Sequence, residues 1–421
     1  MRILLVTQYF PPEIGAPQAR LSELAAHWRQ QGDDVTVLTG MPNHPTGRVP
    51  PEYRRKLRVQ EQRDGYRVIR TWLYATPNEG VLKKTLSHLS FMVSAVVLGH
   101  SRVGAQDVVV VSSPTFFSIF SAWVLARRRR ARFVVEVRDL WPAIFVELGV
   151  ITNRLLIRGL EAMELAAYRA ADAIVVVSQG FRDNLIERGI PAAKVTTIPN
   201  GVDLERFRPD AARSPTARAS LGAGPKEILV LYVGAHGISH GLTAVADAAA
   251  LLQDEPVRFA FVGEGAAKTE LERHVAALGL RNTTLLPGVP RDEVPALLAA
   301  ADICLVPLRD VPLFATFIPS KLFEYLGAGR AVVGSVAGEP AEILRAAGAV
   351  VVPPEDPSAL AAAIRSLASN PEQRAAMGTR GRRYVAEHYD RRMLAARYHR
   401  LLCDLVGEHP RRLDAVTLGR R

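Results

Sequence analysis

The chain has 421 residues, and its content of 48% hydrophobic and 23% charged side chains excludes a disordered protein. Its length favours two domains over a single core. The formal net charge of +11 indicates an anionic partner. No apolar run reaches the ~18–20 residues of a membrane-spanning helix. Two distant cysteines, Cys304 and Cys403, favour buried thiols in a reducing compartment.

Short β-rich runs alternate with stretches of helical period along most of the chain. In the first half the runs are RILLVT, DVTVLTG, YRVIRTW, DVVVVSS, RFVVEVRD, AIVVVS and KVTTIP. In the second half they are EILVLYVG, VRFAFVG, NTTLLPG, DICLVPL, RAVVGSV and AVVVPP. Continuous β-branched runs indicate parallel strands covered by helices on both faces. The pattern predicts an α/β protein with two doubly wound, Rossmann-like domains facing a cleft.

A segment rich in Pro, Arg, Ser and Gly separates the two halves and predicts a domain junction. The opening MRILLVTQYFPPE predicts a first β-strand and not a signal peptide. We therefore predict an N-terminal domain over 1–199, a C-terminal domain over 200–385, a helix over 386–406 that packs back on the N-terminal domain, and a basic tail over 407–421.

Basic residues flank an amphipathic stretch, Val81–His100, in which Lys83 and Lys84 accompany apolar residues. The apolar residues are Leu86, Leu89, Phe91, Met92 and Val93. This pattern predicts peripheral association with an anionic membrane surface. A solvated basic face beside an ordinary core helix is the alternative. Nucleic acid is not expected as a partner, because few aromatics interleave with the basic runs and no nucleic-acid motif appears.

The candidate binding residues of the first half follow predicted strands, where α/β proteins place their ligands. Gly15 and Ala16 allow close backbone approach to a ligand, and the next helix offers its amides; a plain helix-start turn is the alternative. His44 is either an acceptor contact or a solvated loop histidine. Arg138 and Asp139, in VRDLWP, are either catalytic residues or a structural ion pair.

Glycine loops follow the strands of the second half. Asn200 stands in IPNGVD, where Asn-Gly predicts a tight turn and Asp203 a cap for the next turn of the chain. Gly234 opens YVGAHGISHG, and Gly263 with Glu264 repeats the pattern in FVGEG. Such glycines leave room for a phosphate or a nucleoside base, although ordinary turns have the same composition.

The stretch IPSKLFEYLGAGRAV begins a helix at Ser320, after Pro319. Free amides and the positive dipole end at this point attract phosphate, and Lys321 adds a point charge. Glu324, one turn later, is placed to accept the hydroxyls of a ribose. The alternative is an ordinary Lys–Glu helix pair, worth only ~0.2–0.5 kcal/mol.

Together these stretches resemble the retaining GT-B glycosyltransferases of family 4, over roughly residues 1–405. The most specific elements are PPEIGA, PNGVD and PSKLFEYLGAGRAVV. TGMPNHPTG and EVRDLWP resemble a subgroup of bacterial polysaccharide assembly that includes O-antigen and colanic-acid aminosugar transferases. The resemblance implies a nucleotide-sugar donor, UDP-linked and carrying an N-acetylated aminosugar, on the C-terminal domain and the acceptor on the N-terminal one.

Position by position, the resemblance implies that Glu324 binds the ribose and that Ser320 and Lys321, with Pro319 and Leu322 beside them, contact the donor phosphates. Gly15 matches the glycine loop against the same phosphates. Cations such as Lys321 would stabilise the departing diphosphate. The chain departs from the family at Thr316, where a second glutamate is usual, and in AHGISHG, where His240 stands nearest the usual lysine.

The expected acceptor is a polyprenyl-diphosphate-linked sugar or another saccharide, with the protein cytoplasmic and attached peripherally to the inner face of the cytoplasmic membrane. No cofactor or obligatory metal is expected, because no dense carboxylate cluster follows a strand. Two alternatives stay open: an isomerase similar to the UDP-aminosugar 2-epimerases, and a non-catalytic nucleotide-sugar-binding subunit. A dehydrogenase is disfavoured because no G-x-G-x-x-G follows the first strand.

Overall fold

The computed structural model describes residues 1–13, 15–44, 46–77, 80–113, 115–147, 149, 151–209 and 215–407. The chain divides into two compact units. The first contains Met1–Val177, Phe181–Ile198 and the chain from Ala395 onward, and the second contains Ser178–Gly180 and Pro199–Leu394. From residue 408 onward, the predicted basic tail lies outside the described residues.

The first unit is built on a sheet of eight described strands. These are β1 (Arg2–Val6), β2 (Asp34–Gly40), β3 (Arg58–Arg63), β4 (Tyr66–Thr71), β5 (Val108–Ser112), β6 (Arg132–Val137), β7 (Ala173–Val176) and β8 (Val195–Thr197). Its helices are α1 (Ala16–Gln30), α2 (Val81–Val97), α3 (Ser118–Arg129), α4 (Ala143–Glu147), α5 (Arg154–Ala170) and α6 (Gln179–Glu187). The strand order is β3-β4-β2-β1-β5-β6-β7-β8, parallel except for the edge strand β3.

The second unit has six described strands. These are β9 (Ile228–Val233), β10 (Val257–Val262), β11 (Thr283–Leu286), β12 (Ile303–Pro307), β13 (Ala331–Ser335) and β14 (Val350–Val352). Its helices are α7 (Pro215–Ser220), α8 (Leu242–Ala250), α9 (Lys268–Ala277), α10 (Val294–Ala300), α11 (Ser320–Gly327), α12 (Gly338–Ala346), α13 (Pro357–Ala368), α14 (Pro371–His388) and α15 (Arg391–Val406). The last of these passes into the first unit at Ala395.

All strand pairs of the second sheet are parallel, in the order β11-β10-β9-β12-β13-β14. The central strands are buried on both faces because helices cover both, as their continuous apolar runs predict. The predicted class, an α/β protein with two Rossmann-like sheets, is confirmed.

Helix α2 carries a row of exposed apolar residues along one face. Leu82, Leu86, Val93 and Val97 are 73%, 48%, 55% and 68% exposed. Phe91 is completely buried, so its predicted place on a membrane-facing surface is wrong. The reason is helical geometry, since Phe91 points to the face of α2 that packs against the sheet. No described helix combines the length and hydropathy that crossing a bilayer requires.

Strands β9 and β12 separate before β9 ends. They pair only at Ile303 with Val230 and at Cys304 with Leu231, whereas β9 pairs with β10 over its whole length. The hydroxyl of Tyr325, on α11, fills the gap. It accepts a hydrogen bond from the Val233 amide at 3.0 Å and donates one to the Val233 carbonyl at 2.9 Å. One buried side chain thus replaces the missing strand partner and fixes α11 to the end of β9.

Replacing Tyr325 by phenylalanine should lower the free energy of unfolding of the second unit by about 1–3 kcal/mol, because it leaves a buried amide and a buried carbonyl without partners. Denaturant unfolding would measure the loss. Tyr74→Phe, at an exposed position, is the matched control and should change nothing. Equal midpoints for the Tyr325→Phe protein and the wild type would show that the hydroxyl is dispensable.

Candidate functional site

The gap between β9 and β12 is the point where the strand order of the second sheet reverses. From β9, strands β10 and β11 extend to one side and β12, β13 and β14 to the other. Loops leaving β9 and β12 therefore start on opposite sides of the gap. Ligands of doubly wound sheets bind at such a switch point, beyond the carboxyl ends of the strands. Helix α11 begins at this place because Tyr325 attaches it there.

Lys321, in the first turn of α11, directs its ammonium group to the end of β9. Its Nζ lies 3.7 Å from the ring centroid of Tyr232, and a Cβ atom on Gly234 would lie 3.2 Å from it. The side chain is buried, and Nζ has no hydrogen-bond partner among the described residues. Burial lowers the pKa of Lys321 well below its ordinary value, and Glu324 counters this in part. Such a cation is suited to an anionic ligand.

Glu324 lies one turn further along α11 and is the one residue from 321 to 328 that is not buried. Its Oε1 lies 3.5 Å from the Nη2 of Arg291, a residue of the loop after β11 that the sequence did not single out. The carboxylate is therefore accessible and is held in place by a second loop. This position suits a contact with the hydroxyls of a sugar.

The residues around Lys321 differ in what they offer a ligand. Pro319 precedes α11 without a capping side chain, so the first amides of the helix, at Ser320 and Lys321, lack a side-chain cap. Leu322 offers little, because its amide donates to the Pro319 carbonyl at 3.0 Å and its side chain is buried. The prediction that Leu322 contacts the donor therefore has no group to support it.

Two glycine loops pack against each other beside the gap. Gly234 has a φ of +138°, a conformation that favours glycine. A Cβ atom on Gly263 would lie 1.9 Å from the Gly234 carbonyl oxygen, so no side chain fits there. Both predicted glycines thus allow close contact between the loops after β9 and β10.

Two histidines of the loop after β9 flank Tyr232. The ring centroids of His236 and His240 lie 5.7 and 5.8 Å from that of Tyr232. Nδ1 of His240 lies 3.3 Å from the Pro307 carbonyl oxygen at the end of β12. His236 is completely buried, with neither ring nitrogen hydrogen-bonded in the described chain. Sequence reasoning named His240 and missed His236, whose only signal was its place between Gly234 and Gly237.

Glu264 is exposed, and Lys268 neutralises it. Its Oε1 accepts a hydrogen bond from Lys268 Nζ at 2.7 Å and another from the Gly288 amide at 3.3 Å. These contacts lower the pKa of Glu264, with the Lys268 hydrogen bond as the main cause. Glu264 thus ties together the loops after β10 and β11, and its predicted contact with the donor stays a prediction.

In the first unit, Glu13 holds the loops after β1 and β2 together. Its carboxylate accepts backbone hydrogen bonds from Phe10 at 3.1 Å and from Asn43 and His44 at 2.8 Å each. The His44 ring rests against Tyr9, with 5.3 Å between centroids. Burial lowers the pKa of His44, and Lys84 lowers it further. The imidazole is thus positioned as a neutral group beside a cation.

Arg138 lies beside Glu136, 3.7 Å from Nη1 to Oε1, in a buried network. Arg20 donates to the same oxygen at 3.1 Å and to the Ile198 carbonyl at 3.1 Å. Asp139 follows at the carboxyl end of β6, and burial raises its pKa while Arg138 counters this in part. The arrangement favours a structural role for Arg138 through Glu136, a residue that the sequence did not single out.

An aromatic cluster follows the carboxyl ends of the adjacent strands β5 and β6 in the chain. Phe116 is stacked on Trp141 at 6.0 Å with an interplanar angle of 16°, and Trp141 lies 4.1 Å from Phe145. Phe120 lies 5.7 Å from Phe116. Trp141, Phe145 and Phe120 are half-buried, so this cluster offers ring faces to a ligand.

The remaining predicted residues lie at the start of α1 and in the segment after β8. Gly15 precedes α1 in an ordinary extended conformation, without a capping side chain. The side chain of Ala16 is outside the described part of the chain. Asn200 adjoins Gly201, whose carbonyl accepts hydrogen bonds from Arg391 at 2.9 and 3.2 Å. Asp203 accepts from the Glu205 and Arg206 amides, which confirms its predicted capping role.

Two family models match the chain. Residues 15–201 match the glycosyl transferase 4-like domain, and residues 214–384 match the glycosyl transferases group 1. A putative colanic acid biosynthesis glycosyl transferase, WcaI, from Escherichia coli K12 is 30% identical over 87% of this chain and 91% of its own. The chain belongs to the GT4 glycosyltransferases, which have the GT-B fold, and the predicted family is confirmed at this level.

Further relatives share nearly the whole length. A GDP-mannose-dependent alpha-(1-6)-phosphatidylinositol monomannoside mannosyltransferase from Mycolicibacterium smegmatis is 26% identical over 95% of this chain and 98% of its own. The crystal structure of Anabaena HepE in complex with UDP-glucose has a TM-score of 0.70 and 19% identity, and covers 96% of this chain and all of that one. These similarities support a glycosyltransferase of polysaccharide or glycolipid biosynthesis.

Replacing Lys321 by methionine should stabilise the ligand-free protein by about 1 kcal/mol or more, because it removes a buried cation without a hydrogen-bond partner. Lys321 binds its proton more tightly in the unfolded protein than in the folded one. Below pH 10.5, the ordinary pKa of lysine, the free energy of unfolding of the wild type should therefore rise with pH relative to that of the variant. The stability difference should therefore be larger at about pH 6 than at about pH 9.

Chemical denaturation at both pH values measures this difference. The matched control is Lys226→Met, at an exposed position, which should change stability little at either pH. A Lys321→Met protein that is less stable than the wild type at the lower pH would mean that the ammonium group has a partner in the folded protein.

Proposed function

We propose that this glycosyltransferase moves an N-acetylated aminosugar from a UDP-linked donor to a lipid-linked or saccharide acceptor, with retention of the anomeric configuration, in the biosynthesis of a cell-surface polysaccharide. The observation that carries the donor assignment is the buried Nζ of Lys321, which has no hydrogen-bond partner among the described residues. It lies at the first turn of a helix and at the switch point of a Rossmann-like sheet.

The spacing along α11 fits a nucleoside diphosphate. Residues 321 and 324 are separated by about one helical turn, or roughly 5 Å along the axis. The first amides and Lys321 would hold the diphosphate, and Glu324 would accept the ribose hydroxyls. HepE is in complex with UDP-glucose, whereas the mycobacterial relative is dependent on GDP-mannose, so both bases belong in a test of the donor.

Breaking the sugar–phosphate bond leaves negative charge on the departing diphosphate. In the proposed reaction, the ammonium group of Lys321 stabilises that charge, and its low-dielectric surroundings strengthen the interaction. Protein cations and amides take the place that a metal ion has in other transferases, so we expect no obligatory metal. Arg138 would act by positioning neighbouring groups, and Asp139, whose carboxyl takes up a proton readily, is the candidate for proton transfer.

The first unit offers the features that a lipid-linked saccharide acceptor needs. His44, in the loop after β2, provides a polar group, and Lys84, in the first turn of α2, provides a cationic group near it. The ring faces of Trp141 and Phe145 lie at the carboxyl end of β6, two strands away from β1 in the same sheet. Sugar rings stack on aromatic faces, while a diphosphate requires cations. Aromatic faces together with cationic groups support an acceptor that contains both a sugar and a diphosphate.

A panel of nucleotide sugars tests this function. A saturating donor should raise the melting temperature, because it binds the folded protein alone. The stabilising donor should then label a polyprenyl-diphosphate-linked acceptor, and EDTA should not abolish the transfer. Donor turnover without an acceptor would favour the epimerase. Tight donor binding without transfer to any acceptor would favour the non-catalytic subunit.

Glu324→Ala should weaken donor binding by about 1.5–3 kcal/mol, because it removes a charge-assisted contact with the ribose. Isothermal titration calorimetry with the stabilising nucleotide sugar measures the change. Glu342→Ala is the matched control, since that residue is exposed on α12. Unchanged affinity in the Glu324→Ala protein, with its fold intact, would remove Glu324 from the donor site.

Peripheral membrane association is proposed through the exposed face of α2, with Lys83 beside Leu82, Leu86 and Val93. Each basic residue near an anionic membrane surface contributes ~1 kcal/mol to the binding free energy. The exposed apolar residues of α2 would add apolar area that is buried in the membrane interface. Lys84 is unsuitable for a test of this surface, since it lies near His44 and His88 and lowers the pKa of both.

Flotation with anionic liposomes at low and high salt tests this surface. Wild-type protein should float at low salt, and Lys83→Glu combined with Leu82→Ser and Leu86→Ser should float less. Leu155→Ser with Leu156→Ser is the matched control, because these two residues are equally exposed but lie on α5. Wild-type protein that stays in the soluble fraction at low salt would contradict the membrane assignment.

A further inference from the structure

Three groups that can carry positive charge surround one aromatic ring at the end of β9. Lys321 Nζ lies over the face of Tyr232, and the rings of His236 and His240 lie within 6 Å of it, centroid to centroid. The Tyr232 hydroxyl donates to the Ala235 carbonyl at 2.5 Å, so the ring is fixed relative to the loop that carries both histidines. The tyrosine therefore holds all three groups in one cluster.

His236 is held by backbone contacts from two sides. Its amide donates to the Glu264 carbonyl at 2.8 Å, and its own carbonyl accepts from the Ala267 amide at 2.9 Å. Its imidazole has two buried nitrogens without a hydrogen-bond partner in the described chain. Leaving such a polar group unsatisfied is costly, and native proteins rarely do so without a reason. A ligand that supplies an acceptor would relieve that cost.

His240 is oriented differently, toward the end of β12. When Nδ1 carries a proton, it donates to the Pro307 carbonyl, which leaves Nε2 as the second nitrogen of the ring. Protonation of Nε2 would turn it into a donor without disturbing the contact with Pro307. This is the arrangement in which a histidine adds a charge-assisted hydrogen bond to a phosphate oxygen.

Charged groups of several neighbouring elements lie around the histidines. Lys321 on α11 and Lys268 on α9 disfavour a proton on His236, while Glu264 favours it; His240 faces Lys321 and His236. Arg309 and Glu355, which pair at 3.6 Å from Nε to Oε1, lie beside Gly241, the residue after His240. Burial is the largest cause of both pKa shifts; together with these charges, the pKa of His236 is lowered to about 4 and that of His240 well below its ordinary value. In the ligand-free protein both histidines are thus neutral near pH 7.

We propose that Lys321, His236 and His240 together neutralise the diphosphate of the donor, and that the two histidines take up protons from solvent as the donor binds. This inference rests on the proposed function and adds to it a histidine not otherwise assigned. The diphosphate supplies the negative charge that three adjacent cations need, so the cluster is fully charged only in the complex. Gly237 follows His236 in the chain, and Gly241, whose φ of +54° favours glycine, follows His240.

Proton uptake sets the sign of the pH dependence. Because the complex holds more protons than the free protein, donor affinity should fall as pH rises through the histidine pKa of the complex. If the diphosphate restores an ordinary value near 6.5 at one histidine, affinity should be about tenfold higher at about pH 5.5 than at about pH 8.

Calorimetric titration in buffers with different ionisation enthalpies tests the proposal. The probes are UDP-N-acetylglucosamine and GDP-mannose, because a diphosphate esterified at both ends has no group that titrates near neutral pH. Wild-type protein should take up about one and a half protons at about pH 6, roughly three-quarters of a proton for each histidine that reaches a pKa near 6.5 in the complex. His236→Gln and His240→Gln should each reduce this uptake and flatten the pH dependence. His274→Gln, whose imidazole pairs with Asp247 instead, should behave as the wild type.

The outcomes separate this inference from the proposed function. If neither nucleotide sugar binds at any pH, the donor assignment itself fails. If one binds without proton uptake by the wild type, the donor site stands and the role of the histidines is wrong. Uptake that persists unchanged in both histidine variants, with their melting temperatures intact, would also overturn the role of the histidines.

Discussion

The second unit depends on the two hydrogen bonds that the hydroxyl of Tyr325 makes with Val233. Strand β9 gives up its pairing with β12 before its end, and without another partner its last backbone groups would be buried and unsatisfied. Tyr325 supplies that partner and brings the first turn of α11 to the same place. One contact thus stabilises the gap between the strands and positions the helix terminus and Lys321 beside it.

This arrangement has an energetic cost that points to function. A sheet optimised for stability would close β9 against β12 and would not bury an ammonium group without a hydrogen-bond partner. Here Lys321 Nζ lies over the face of Tyr232 without a hydrogen-bond partner among the described residues, and the ring nitrogens of the nearby His236 likewise lack one there. Buried polar groups that destabilise the ligand-free protein are typical of preorganised binding sites, where tighter ligand binding is accompanied by lower stability. In the first unit Glu13 has the opposite role, since its carboxylate satisfies three amides and makes the loop of His44 rigid.

The sequence was sufficient for the architecture because buried parallel strands are continuous apolar runs, and each predicted run is a strand. Strand β3 was missed because its sequence, RVQEQR, has a single apolar residue, although Asp64-Gly65 before β4 is a typical hairpin turn. The residues of α11 were found through their spacing. His236, Tyr232 and Arg291 were missed because their importance comes from contacts between residues far apart in the sequence, which no periodicity encodes. Phe91 was wrongly predicted to face a membrane surface, because the polar residues near it in the sequence lie on a different face of α2.

Lys321, at the first turn of α11, is the cation proposed to hold the donor diphosphate. A crystal structure of the protein with a bound nucleotide sugar would show this contact. We expect a diphosphate oxygen within about 3 Å of Lys321 Nζ, at hydrogen-bond distance, and the ribose hydroxyls at the Glu324 carboxylate. A nucleotide bound elsewhere, with Lys321 still resting on Tyr232, would contradict it.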